Sequence, residues 1–517
     1  MSDLNRRNFL HGVGAIGTGI AVSGASSAEA QSDQENTLAA DPWSDVPERV
    51  WIGPEYWANP LQDWKIHPEL GIECLNAAAN RNLHWITRSL GKKSGSFEMS
   101  VVIGRPNNGN LGKGKGSAGF RIGIRGPLED YRNAVVFGNG LDIGFNVKDG
   151  LFIGRVKSQK PVGEVFDRQW IRLDLKGEPV GEKYRLTLSA YSLEDGKLLD
   201  QIQNNGVPAD QLHGNIALVN NHAGGGRRGN QPNYGAGRFR FARWTASGEK
   251  IEVHPERAFG PILFSQYTLS SGILKLSAQM PPIGKEDSQT VQLQIDQGQN
   301  NWKTIGEETI HPEARTATFR IPDWNDKKDT PYRLVYTQKH RSGDEAKERP
   351  FSWAGTIRKD PVDQEVVTVA DVSCNIHQAF PNAHYVANMG KLDPDLIAFV
   401  GDQFYESTGG YGVQRAPLDK AILDYLRKWW IHGWTWRELM RDRPSISIPD
   451  DHDAYQGNIW GEGGAGKQRT QEAGGYGMPA TWVNVVHRTQ TSHHPDPFDP
   501  TPIKQNISVY YGPMTYG

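Results

Sequence analysis

From residue 41 to about 247 the chain alternates short apolar runs with Gly, Asn and Asp turns, and no long helical period interrupts them. This rhythm leaves few choices of fold. In residues 97–103, 119–124, 151–156 and 184–190 apolar side chains recur at every second position, which buries one face of a strand and leaves the other in water. Many short strands of this kind must cover one another's apolar faces, so the stretch is expected to form a β-sandwich. A second set of strand patterns follows at residues 272–278, 290–295, 316–321 and 332–337.

At 517 residues the chain exceeds one hydrophobic core, and ~100–200 residues per domain sets the expectation at about three domains. The expected boundaries give a β-sandwich over 41–250, a second over 251–360 and a third domain over 361–517. The strand count and length of the second suit an immunoglobulin- or fibronectin-like sandwich. At Asp360 the rhythm changes. Apolar strands are expected at 366–370, 396–400 and 445–448, with a helix over 382–391. A second helix is expected over 418–440, where Ile422, Leu423, Tyr425, Leu426, Trp429 and Trp430 fall at helical spacing. Strands apolar on both faces, alternating with helices, predict a parallel sheet and so an α/β domain. In that architecture ligands bind beyond the carboxyl ends of the strands.

Each of these three strands runs straight into polar residues of a particular kind. Ser373-Cys374-Asn375 follows the first, Gly401-Asp402-Gln403-Phe404-Tyr405-Glu406 the second and Asp450-Asp451-His452-Asp453 the third. Taken singly, each has a bland reading: an Asp capping a turn, a Cys filling a small apolar space, a solvated acidic loop. Three such clusters at successive strand ends of one parallel sheet converge on one edge. By residue type that is a metal site.

These motifs, in this order, resemble those of the alkaline phosphatase D family within the metallophosphoesterases: Ser-Cys, Gly-Asp-x-x-Tyr and Asp-Asp-His-(Glu/Asp). The resemblance covers about residues 366–461. It implies that Cys374 and Tyr405 ligate ferric iron, Fe(III), that Asp402 bridges it to a second metal, calcium, Ca(II), or another divalent ion, and that Asp451 binds this second metal. It gives His452 the catalytic role of contacting the phosphate or donating a proton. The implied activity is hydrolysis of phosphate mono- or diesters at a dinuclear metal centre. The family continues to a later Gly-Asp-x-His-type motif, which this chain lacks before Gly517, so the α/β metallophosphoesterase-type domain is expected to be incomplete at its C-terminus. His487, His493 and His494 lie in what reads as a Pro-rich loop and are expected to have loop roles.

The first thirty residues read as an export signal. Asn5-Arg6-Arg7-Asn8-Phe9-Leu10 is a twin-arginine pattern, a Gly- and Ala-rich run follows, and Ala28-Glu29-Ala30 offers small residues for cleavage. The expected location is therefore periplasmic or extracellular, with the twin-arginine translocase as a transient partner. A membrane anchor is the alternative, but the run is short of the ~20 apolar residues a span needs. Formal net charge is −2, so no global field draws the chain to nucleic acid or to an anionic membrane. The two cysteines, Cys74 and Cys374, fall in different expected domains, and Cys374 as a metal ligand is preferred to a bridge.

Residues 51–60 and the strand at 83–87 resemble concanavalin-like jelly-roll modules. That leaves a second function open: binding of an extracellular glycan or anionic polymer, with an inactive phosphoesterase half. Trp51, Trp57 and Trp64 read as core rather than as a sugar-stacking platform, and the loop Gly224-Gly225-Gly226-Arg227-Arg228-Gly229 as a hairpin loop. The run Gly109-Asn110-Leu111-Gly112-Lys113-Gly114-Lys115 lacks the Ser or Thr that a phosphate-binding loop needs next, Gly116 standing there instead.

Overall fold

The strand Lys183–Ser192 buries Tyr184, Leu186, Leu188 and Ala190 and turns Lys183 and Arg185 to solvent, the alternation that its sequence carries. It pairs antiparallel with Trp170–Val180 and Leu198–Pro208 in a seven-stranded sheet. An eight-stranded sheet, also antiparallel, lies against it, and their inner faces share one core that includes Phe120, Ile143, Leu173 and Leu188. This computed structural model describes residues 42–517 apart from 45, 68–70, 107–108, 112–113, 159–167, 223–236, 343–344, 376 and 456–474. The export pattern, the Gly224–Gly229 loop and the last part of the motif region fall outside the described residues.

A smaller pair of antiparallel sheets follows. Phe264–Ser270, Ile273–Gln279 and Thr316–Ile321 form one, and Trp302–Thr309, Thr290–Asp296, Thr330–Ser342 and Glu345–Ile357 the other. Tyr267, Leu276, Leu293, Phe319 and Leu334 make its core. Most of the chain is thus antiparallel sheet in sandwich-like pairs, with few helices.

The remaining sheet is parallel. Its strands are β1 (Val369–Val372), β2 (Leu396–Phe399) and β3 (Ser445–Ser447), in that order across the sheet. Helix α1 (Ala383–Leu392) joins β1 to β2, α2 (Leu418–Met440) joins β2 to β3, and α3 (Ala480–Thr491) follows. Two expectations need correction here. The first strand begins at Val369 instead of 366, and it is not apolar on both faces. Val366 precedes the strand and is 70% exposed; Val369 is 55% exposed, in an edge strand paired only with β2. The second correction concerns His487, which sits in α3 and not in a loop.

Helix α2 explains how the parallel sheet is held. It is buried on nearly every side, and charged groups it takes inside find partners there: Lys428 donates to Asp424 at 2.6 Å and Arg427 to Thr408 O at 2.9 Å. Trp434 stacks on Trp57 at 4.9 Å and on Phe259 at 4.7 Å, while Trp436 meets Phe399 of β2 edge-on at 5.3 Å. Trp429 donates to Gln279 at 3.0 Å, and the Asp424 carboxylate receives Gln62 at 3.4 Å. One helix therefore touches both sandwiches and its own sheet, and residues Ala39–Gly517 form one compact unit. Trp51, Trp57 and Trp64 are 4%, 4% and 0% exposed, so none offers a ring to a sugar. Among the described residues of the glycine-rich run, the carbonyls of Leu111 and Lys115 accept from Arg105, so these backbone oxygens face a cation. Among the described residues no helix is long and apolar enough to cross a membrane.

Candidate metal centre

All three parallel strands end at the same edge, and each loop turns sharply there. Cys374 and Asp402 both adopt left-handed backbone, φ 53° and 51°, which costs a non-glycine residue roughly 1–2 kcal/mol. Gly401 before Asp402 has φ 99°, and a Cβ there would come within 2.7 Å of the Asp450 Cβ, so only glycine lets the second and third loops approach. The first and second loops are laced together by Cys374 N donating to Gly401 O at 3.3 Å and Asn375 N to Asp402 O at 2.9 Å.

The five residues expected to form the site come together. Ligand atoms of Asp402, Asp451 and His452 all lie within 4.8 Å of one another. The Cys374 thiol faces the same carboxylate, Sγ to Asp402 Oδ2 at 3.7 Å. Tyr405 lies beside them, close enough that Asp402 and Cys374 act on the ionisation of its phenol, and its ring is 4.5 Å from that of His452. Asp402 is 8% exposed, and its Oδ1 has no hydrogen-bond partner among the described residues. A buried carboxylate with one unpaired oxygen, grouped with a thiol, a phenol, a second carboxylate and an imidazole, is costly in bare protein and suits a cation. The donor set therefore fits the metals that the motifs imply.

The electrostatics are those of crowded anionic donors. Burial, then Asp402 and Cys374, push the Tyr405 phenol well above its ordinary pKa. Burial raises the Asp451 carboxyl, with Asp450 and Asp402 adding to the effect against the pull of His452. For His452 desolvation favours the neutral ring, but the hydrogen bond and charge of Glu406, then Asp402 and Asp451, outweigh it and the pKa rises. Deprotonated ligands are what a cation takes, so metal uptake here must release protons.

Three side chains outside the expected set shape the centre. Glu406 Oε2 accepts from His452 Nδ1 at 2.9 Å, fixing the ring and leaving Nε2 for another partner. Asp453 and Gln403, 0% and 2% exposed, lie directly behind the ligands. All three stood inside the motif runs, but sequence alone gave no reason to single them out. His487, His493 and His494 do not enter the cluster. His493 Nε2 donates to Ser445 O and Ser447 N donates to His494 Nε2, both at 2.9 Å, so this pair satisfies the outer edge of β3 in place of a fourth strand. His487 Nδ1 meets Ser508 Oγ at 3.0 Å. An apolar cavity of about 460 Å³ lies beside β3 and α3, lined by Asp450 but by none of the five expected residues.

The sequence matches no protein-family model, and no curated protein matches it. Among solved structures it is similar to lectin II from Ulex europaeus, at 10% identity over 37% of this chain and 91% of that one, with a TM-score of 0.25. It is also similar to purple acid phosphatase PPD1 from yellow lupin (Lupinus luteus) seeds, at 9% identity and a TM-score of 0.29. That overlay covers 82% of this chain and 58% of the phosphatase. A third such structure is an endo-1,3-beta-glucanase from Streptomyces sioyaensis, at 11% identity over 38% of this chain and 80% of that one, TM-score 0.22. Overlays this loose do not superpose side chains and assign neither family nor activity.

Proposed function

We propose that the chain is a metal-dependent phosphoesterase of the alkaline phosphatase D type, with residues 361–517 as the catalytic domain and the two sandwiches as its support. One observation carries the reading: donor atoms of Asp402, after β2, and of Asp451 and His452, after β3, lie within 4.8 Å of one another, and Cys374, after β1, faces the same Asp402 carboxylate. In this reading Cys374 and Tyr405 would hold ferric iron, whose preference for strong anionic donors they suit, Asp402 would serve both ions, and Asp451 would hold calcium or another hard divalent ion. Bound cations supply charge neutralisation on the phosphoryl oxygens and acidify the attacking water.

The chain's own groups do the rest. Asp402 and Asp451 would set where the cations, and through them the phosphate, can lie. Glu406 holds the His452 ring through Nδ1, so that a protonated imidazole presents Nε2–H to a phosphoryl oxygen or to the departing alcohol. The buried tryptophans remove the sugar platform that a glycan-binding reading would use. Export to the periplasm or beyond is part of the proposal and rests on the twin-arginine pattern alone.

The test uses the full chain loaded with ferric iron and calcium, an aryl phosphate monoester and diester, and the Asp402→Ala variant. Hydrolysis and retained metal should both fall to background in the variant, since one carboxylate serves both ions. Wild-type chain that retains no more metal than Asp402→Ala sinks the proposal.

A further inference from the structure

The two loops that carry Asp402 and Asp451 are stapled to each other behind the metal centre, and the staple is reciprocal. From the third loop, the Asp453 carboxylate reaches the second: Gln403 N donates to Oδ1 at 3.1 Å. Its other oxygen closes its own loop, accepting from Asp450 N at 2.9 Å. From the second loop, the Gln403 amide reaches the third: Nε2 donates to Ile448 O at 3.1 Å and also to Phe399 O, at the end of β2, at 3.2 Å. Gln490 of α3 donates to Asp453 Oδ1 at 3.2 Å and so ties the staple to the helix behind. Asp453, Gln403 and Gln490 are 0%, 2% and 0% exposed, so water does not compete for these bonds.

We infer that Asp453 and Gln403 are positioning residues that set the separation of Asp402 and Asp451, and with it the affinity of the centre for its cations. The inference rests on the phosphoesterase reading above and deepens it. Gln403 directly follows Asp402 in the chain, and Asp453 lies two residues after Asp451, so a shift of either staple residue moves a ligand with it. Asp402 needs the help: its backbone is left-handed, and such a conformation persists only where surrounding bonds over-determine it. A bland alternative exists, in which the same bonds merely satisfy buried amides. The two readings differ in what they predict for metal. Satisfying an amide stabilises the fold with or without cations, whereas holding two ligands in register stabilises the loaded protein more than the metal-free one.

The experiment takes the full chain as wild type, Asp453→Asn, Gln403→Met and Asp402→Ala. In Asp453→Asn an amide –NH₂ meets a backbone N–H, which breaks the tie to one loop. Gln403→Met keeps volume and removes the donor. Each protein is loaded with ferric iron and calcium, its affinity is read by chelator competition, and its melting temperature is taken loaded and metal-free. The expected result is about tenfold to a hundredfold weaker binding in Asp453→Asn and a smaller loss in Gln403→Met, as for other partners of metal ligands. The gap between loaded and metal-free melting temperatures should narrow in both. Unchanged affinity and an unchanged gap in the Gln403→Met protein, or in a folded Asp453→Asn protein, overturn the inference while leaving the metal centre intact. Wild type that binds no more than Asp402→Ala overturns both.

Discussion

Replacing His494 by Phe should destabilise the metal-free chain near neutral pH and stabilise it in mild acid. The imidazole is 2% exposed, and Nε2 accepts the Ser447 N–H at 2.9 Å. Burial, with His493, His487 and Lys275 adding to it, holds its pKa well below the ordinary value. The folded pKa is depressed, so the native contact contributes fully above the unfolded pKa of about 6.5 and is lost as pH falls below that value. Phe leaves the Ser447 amide without its acceptor, at a cost of about 1–3 kcal/mol. Wild type, however, loses about 1.4 kcal/mol per pH unit below about pH 6.5 because unfolding frees this ring to take a proton, and the variant does not. A penalty of about 2 kcal/mol is offset after roughly 1.5 pH units, so the two stability curves should cross near about pH 5. Urea unfolding followed by circular dichroism between about pH 8 and about pH 4 measures this directly. His494→Gln keeps an acceptor without a titrating ring, so it should lose less at neutral pH and flatten the curve equally. A wild-type-minus-Phe difference that stays constant across the range refutes the account. The broader acid response follows from the same physics, since burial holds His84, His432 and His493 down to about 3. Asp453 opposes them: burial raises it to about 7, so its contribution is present below the unfolded carboxylate pKa and fades as pH rises through about 7.

Two simpler measurements bear on the fold around the centre. Cys374 is exposed and Cys74 buried, with burial pushing the Cys74 thiol up to about 12, so the native metal-free chain should react with a thiol reagent at Cys374 alone and at Cys74 only after unfolding. A Cys74–Cys374 crosslink in native protein, found by mass spectrometry, would contradict this. Gly433→Ala should cost about 1–3 kcal/mol or more, because a Cβ there would lie 2.0 Å from the Phe264 ring that seats α2 on the second sandwich. A melting temperature equal to wild type would show that this contact relaxes freely.

The sequence by itself determined what depends on near neighbours. Alternation in Lys183–Ser192 marks a strand, helical spacing from Ile422 to Trp430 marks α2, and polar residues crowd the ends of three apolar runs; all of these are short-range patterns that a pleated strand or a helix translates directly into burial. Parallel direction then obliges Cys374, Asp402, Tyr405, Asp451 and His452 to open on one edge, which is why they were legible before any coordinate was known. Tertiary structure decided whatever needs a distant partner. That Trp57 belongs to a stack with Trp434, that Glu406 holds His452 from 46 residues away and that Asp453 grips Gln403 from 50 away are properties of pairs, invisible in either member alone. The same holds for His493 and His494, whose residue types suggested ligands or loop and whose place is to stand in for a strand along β3. The exposure of Val369 makes the point in reverse: its apolar character was plain, but burial depends on which strands lie beside it, and at the edge of this sheet only β2 does.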